Sequence, residues 1–124
     1  MNSSPDIIKD TSNTLKPISD RGTIVMQGWY KKDIKERHVT LWDLGESEEN
    51  FSDDDAEGVR LSIQVTIFSR EDETELANEI KKLMKRNGFD YEGRNADDSK
   101  PEDGIYMKAQ RFSKLYETEE MVNE

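Results

Sequence analysis

The sequence predicts an α+β domain, in which a small, mostly antiparallel sheet of about four strands packs against an N-terminal helix and a central helix. Within Gly58 to Ser69, Val59, Leu61, Ile63, Val65 and Ile67 alternate strictly with Arg60, Ser62, Gln64 and Thr66. A period of two throws the aliphatic set to one face of a strand, and β-branched side chains suit a pleated surface. Directly afterwards Leu76, Ile80, Leu83 and Met84 recur at i, i+4, i+7 and i+8, which is the apolar stripe of a helix. The two apolar faces are complementary, so Leu61, Ile63, Val65 and Ile67 are expected to pack on Leu76, Ile80, Leu83 and Met84. The remaining apolar residues also fall in patterned segments, which argues against wholesale disorder even though 37% of the residues are charged and only 32% hydrophobic.

With 124 residues the chain is read as a single domain, residues 1–124, with fraying ends at 1–5 and 117–124. From Pro5 to Ile18, Ile7, Ile8, Leu15 and Ile18 fall on one helical face, with Ser4 as cap, Pro5 at the first helical position and Pro17 ending or bending the helix. Gly22 to Tyr30 is a first strand with a bulge at Gly28, and Lys31 to Arg37 a polar connection. His38 to Leu44 is a second strand, with Val39 and Leu41 on one face and His38, Thr40 and Trp42 on the other. Gly45 to Glu57, with seven acids and no base, is predicted to be a solvated loop.

After the alternating strand, Asp72 and Glu75 predict a capping box for a helix over about Glu73 to Arg86. Lys81, Lys82, Lys85 and Arg86 lie towards its C-terminus, where cations complement the helix dipole. Asn87-Gly88 supplies a left-handed stop, with Phe89 folding back onto Leu83 or Met84 as in a Schellman cap. Asp90 to Asp103 is read as a second polar loop and Gly104 to Tyr116 as the last strand. Neither loop has enough apolar residues to offset its own ordering entropy, so both are expected to be mobile in an isolated subunit.

A formal net charge of -10 repels nucleic-acid phosphates and anionic membranes, so neither is expected as a partner. The absence of cysteine excludes a disulfide scaffold, thiolate metal sites and a cysteine nucleophile, and favours a reducing compartment. No basic start with an apolar h-region and no apolar run near the roughly 18 residues of a membrane span is present, so a soluble intracellular chain is expected. No phosphate loop, zinc-protease helix or nucleophile elbow occurs. His38, the single histidine, is expected to be a surface or half-buried side chain. Asp53, Asp54 and Asp55 lack the ligand order of a calcium loop. The reading is therefore not an enzyme, with no catalytic residue, cofactor or metal, and the candidate interaction residues are Glu46, Glu48, Glu49, Asp53, Asp54, Asp55 and Glu57.

Five strings in order, Gln27-Gly28-Trp29-Tyr30, His38-Val39-Thr40-Leu41-Trp42, Ile67-Phe68-Ser69, Ile80-Lys81-Lys82-Leu83-Met84-Lys85-Arg86-Asn87-Gly88-Phe89 and Tyr106-Met107-Lys108-Ala109-Gln110-Arg111-Phe112, resemble small tail terminator or tail-completion proteins of long-tailed bacteriophages. Similar strings occur in proteins encoded among head-to-tail joining genes of phages and prophages of Gram-positive bacteria. The resemblance covers the chain from Gly22 onward and brings no catalytic residue with it. It implies a structural virion protein that forms a ring, usually a hexamer, on the last layer of the tail tube and offers a surface to the head connector. The implied partners are other copies of itself, the tail tube protein and the connector proteins; the implied locations are the bacterial host cytoplasm during assembly and then the virion tail. An acidic loop would suit a bore through which DNA slides, and an outward position fits equally well. Because net charge opposes self-assembly, apolar or edge contacts are expected to drive it. The alternative from another class is a monomeric acidic phage-encoded inhibitor that presents carboxylates to a basic host surface. A metal-assisted hydrolase using Asp53 to Asp55 has the least in its favour.

Overall fold

Strand β3 (Glu57–Ser69) is the spine of a five-stranded mixed sheet in the order β1-β2-β3-β5-β4, with β1 at Ile24–Gln27, β2 at His38–Asn50, β4 at Asp90–Arg94 and β5 at Tyr106–Glu117. The computed structural model describes residues 6–50, 57–94 and 103–117, with backbone only at 47–50, 57 and 94. Helices α1 (Ile7–Thr14), α2 (Lys16–Ser19) and α3 (Thr74–Arg86) complete an α+β architecture. β2 and β5 flank β3 antiparallel over nearly its whole length, β4 pairs antiparallel with β5, and β1 pairs parallel with β2. The sheet thus has one strand more than expected and one parallel pair. The parallel pair arises because residues 28–37 carry the chain across the sheet before β2 begins, where a tight turn would have produced a hairpin.

The alternating pattern of β3 does what its period requires. Leu61, Ile63, Val65 and Ile67 are buried on one face against Leu76, Ala77, Ile80 and Met84 of α3, with Leu83 partly buried beside them. Val39 and Leu41 of β2, Phe112 of β5, and Ile7, Leu15 and Ile18 of the N-terminal helices complete this helix-side core. At the end of α3, Gly88 takes φ 89°, its N–H donates to Lys85 O at 3.2 Å, and Phe89 N–H donates to Met84 O at 3.1 Å. This is the Schellman pair of bonds, and the Phe89 ring is buried in the core.

Five local expectations are corrected. The cap of α1 is Asp6, whose Oδ1 accepts from Lys9 N–H at 3.0 Å, and Ser4 and Pro5 lie outside the described residues. The break at Pro17 is as expected: the chain leaves α1 at Leu15 and restarts as α2, because the ring has no N–H and crowds the preceding turn. α3 has no capping box. Its cap residue is Glu73 without a side-chain cap bond, while Asp72 accepts from Thr74 Oγ1 at 2.9 Å and pairs with Lys108 Nζ at 3.0 Å.

Residues 45–50, expected in a loop, continue β2. A bulge at Leu44 shifts the register from Asp43↔Ile63 to Gly45↔Ser62, Gly45 takes φ 106°, and its N–H donates to Asp43 Oδ1 at 2.8 Å. Beyond the bulge the ladder runs to Asn50↔Glu57, because backbone pairing with β3 does not depend on the acidic side chains. Residues 90–94 of the second expected loop form β4, an edge strand with a bulge between Tyr91 and Gly93. Tyr91, the one apolar residue available, packs on Phe112 with ring centroids 5.5 Å apart. Glu117, expected to fray, closes β5 opposite Gly58, and residues 118–124 lie outside the described residues. Among the described residues no helix is long and apolar enough to cross a membrane.

Candidate interaction surface

The face of the sheet away from the helices is closed at one end and open at the other. At the closed end, Phe68, Ile105 and Met107 are buried with Tyr30 packed on them. His38 belongs to this cluster at 1% exposure, which corrects the expectation of a surface or half-buried side chain. Its ring stacks on both Tyr30 and Phe68, with centroids at 5.8 and 5.3 Å, and those two rings lie 5.0 Å from each other, so the three form a triangle. Nδ1 lies 3.0 Å from Glu36 O, and Nε2 is 3.4 Å from the Lys31 N–H that donates to it. Both ring nitrogens thus have backbone partners, so His38 is a satisfied core residue.

Gly28, at φ 123°, ends β1 by a left-handed turn while its N–H still bonds Leu41 O at 2.9 Å. That turn lays Trp29 on the sheet. Its ring meets buried Phe68 edge-on at 5.5 Å and Trp42 edge-on at 6.3 Å. Both tryptophans keep a large part of their surface in water, 42% for Trp29 and 48% for Trp42, and Leu44 at the β2 bulge is 41% exposed. In register, Trp42 stands opposite Gln64, and Gln64 opposite Arg111, whose Nε donates to Gln64 Oε1 at 3.2 Å. Beside them Arg60 donates to Asp90 Oδ2 at 2.9 Å and Ser113 Oγ at 3.1 Å, and the Ser113 hydroxyl donates to Glu92 Oε2 at 2.6 Å. A depression of about 360 Å³ lies between Leu44, Arg60 and Arg111.

Tryptophan and arginine carry more binding energy at protein interfaces than other residue types, and an edge-to-face tryptophan pair is rigid and loses little entropy on contact. The polar groups around the pair are engaged in structural bonds, so what this face offers is contact. Among the described residues no group of three or more His, Asp or Glu side chains is placed to hold a metal ion.

The acidic residues singled out from the sequence occupy a different place. Glu46 is an exposed residue of β2 opposite Leu61, Glu48 and Glu49 lie opposite Val59 and Gly58, and Glu57 opens β3. They gather at the far end of the β2–β3 hairpin, and Asp53, Asp54 and Asp55 lie outside the described residues. The sequence reading did not single out Trp29, Trp42, Leu44 and Arg111. The available signal was Trp42 standing on the polar side of a strand whose other side carries Val39 and Leu41.

Two further contacts are structural. Arg21 grips Glu79 with two bonds of 2.7 Å, and that hydrogen bonding holds the Glu79 carboxyl below its ordinary range. Burial, and then the bond to Asp10, push the Tyr116 phenol well above its ordinary range. The chain matches no protein-family model and no curated protein at a significant level of similarity.

Proposed function

We propose that this chain is a structural assembly subunit of the tail-terminator kind, which closes a phage tail tube as a ring and presents the head-joining surface. The observation that carries this reading is the exposed Trp29–Trp42 pair with Leu44 and Arg111 on one face of the sheet. A chain of net charge -10 needs such a non-ionic contact surface if copies of it are to associate. The short edge strands β1 and β4 offer further unpaired backbone for lateral contacts. The ordered strings from Gln27 to Phe112 supply the resemblance, and the engaged polar groups of the face leave it without bond-making work. Deletion of the gene from the phage or prophage that carries it, followed by electron microscopy of the lysate, tests the reading. Tails of abnormal length that fail to join heads are expected; normal virions overturn it. The second reading, a monomeric acidic inhibitor of a basic host surface, draws on the acidic sequence of residues 45–57, of which Glu46 is an exposed residue of β2.

A further inference from the structure

We propose that Asn87 is a deamidation site held closed by the C-terminal cap of α3, so that the side-chain amide is lost only when the last turn of the helix opens. The inference stands apart from the assembly reading.

Of the asparagines in the chain, only Asn87 is followed by glycine. That order matters because the reaction begins when the backbone nitrogen of the following residue attacks the asparagine Cγ, and a residue without Cβ leaves the approach clear. The Gly88 nitrogen gives up its proton to water as its bond to Cγ forms, the Cγ–Nδ2 bond breaks, and ammonia leaves behind a cyclic imide. Water then opens the imide at either carbonyl, giving aspartate or its β-linked isomer. Water is the only co-reactant, and both residues are exposed to it.

The cap opposes the attack in several ways. At φ -101° and ψ 18° the Asn87 backbone sets the Gly88 nitrogen almost in line with Asn87's own nitrogen, whereas ring closure requires it to swing round towards Cβ. Asn87 Nδ2 donates to Leu83 O at 2.8 Å, which pins the amide over the helix end. The Gly88 N–H, whose proton must be lost, donates to Lys85 O at 3.2 Å. Phe89 fixes the chain beyond, through its N–H to Met84 O at 3.1 Å and through a ring buried in the core. Rotation about the Asn87 Cα–C bond breaks the Gly88 and Phe89 bonds together, so the reaction and the closed cap exclude each other. Helix ends open locally far more often than a domain unfolds, and the fraction of time spent open sets the rate.

Conversion also damages the cap. An aspartate in place of Asn87 cannot donate to Leu83 O, and it sets a carboxylate against the negative end of the α3 dipole, which Lys85 and Arg86 offset only in part. The β-linked isomer adds an atom to the backbone, so the Schellman pair of bonds cannot both be kept. Each converted chain therefore opens more readily at the end of α3.

The test incubates the whole chain and a synthetic peptide of residues 83–91 side by side at mildly alkaline pH, and follows the amide-to-acid mass change at Asn87 by peptide mass spectrometry. The folded chain should react more slowly than the peptide by about tenfold or more, and unfolding it in urea should remove the difference. Hydrogen exchange at the Gly88 and Phe89 amides measures cap opening in the same samples, and the deamidation rate should rise in step with it as urea is raised below the unfolding transition. Asn87→Asp should lower the thermal midpoint of the chain. A peptide that keeps its amide, a folded chain that loses it as fast as the peptide, or a rate that does not follow cap exchange each overturns the proposal. An unchanged midpoint for Asn87→Asp overturns the damage ascribed to conversion.

Discussion

The Tyr116 hydroxyl donates to Asp10 Oδ2 at 2.6 Å, and Lys114 Nζ reaches the same oxygen at 2.9 Å, so the last strand is tied to the first helix across 106 positions of sequence. Burial and the Asp10 carboxylate both favour the neutral phenol, so the folded-state pKa lies above the unfolded value of 10.0. The stability this contributes is fully present below pH 10 and is lost as pH rises through the folded-state value. Tyr116→Phe should cost about 1.5 kcal/mol at pH 7, the lower part of the range for a hydrogen bond to a charged group, because the site is only half-buried. Denaturant titrations at pH 7 and pH 11 check this, and the gap between the two proteins should narrow at the higher pH. A gap that widens with pH would reverse the sign of the argument.

Ile63 is fully buried at the centre of β3, between the register partners Asp43 and Phe112, in the cluster that includes Ile80 and Met84. Ile63→Ala is expected to cost about 2–5 kcal/mol, a large share of the stability of a domain this size. A loss below about 1 kcal/mol in denaturant titration would mean that the site collapses around the cavity or that the packing is wrong.

Thr40 is fully buried opposite Thr66, and its hydroxyl has no hydrogen-bond partner among the described residues. Thr66 Oγ1, by contrast, accepts from Gln64 Nε2 at 3.2 Å. Thr40→Val keeps the shape and the β-branch and removes a desolvated hydroxyl, so it should stabilise the fold by about 1 kcal/mol. Thermal unfolding reads the result, and a lower midpoint would show that the hydroxyl is satisfied in solution, for instance by a buried water.

The parts of the fold legible in the sequence were those where one local signal and one tertiary demand agree. The period of Val59 to Ile67 matches the stripe from Leu76 to Met84, and Asn87-Gly88-Phe89 carries its own stop signal. β4 was illegible because Asp90, Glu92, Gly93 and Arg94 have no strand pattern; Tyr91 packing at a tilt on Phe112 and pairing with β5 create the strand. The extension of β2 through Glu46 and Glu49 was hidden in the same way, since a ladder to β3 overrides a composition that reads as loop. The burial of His38 depends on Tyr30 and Phe68, partners 8 and 30 positions away. For the candidate site, the acidic residues were visible as composition, whereas the Trp29–Trp42 pair requires the turn at Gly28 and the register of β2.

Trp42 is half-exposed and touches Trp29 by its edge, so truncating it should matter more for association than for folding. Trp42→Ser is expected to destabilise the isolated subunit by no more than about 1 kcal/mol while weakening self-association by about tenfold or more. Paired measurements by denaturant titration and sedimentation velocity separate the two effects. Equal assembly of variant and wild type would remove this face from the contact.

The central claim, that the chain is a subunit of a closed assembly, is tested most directly by the mass of the purified protein in native mass spectrometry across a concentration series. The subunit is 14.4 kDa, and the account predicts one discrete higher species at a whole-number multiple of that mass, six by the family resemblance, which gains population as concentration rises. A species that remains at 14.4 kDa at every concentration would contradict it.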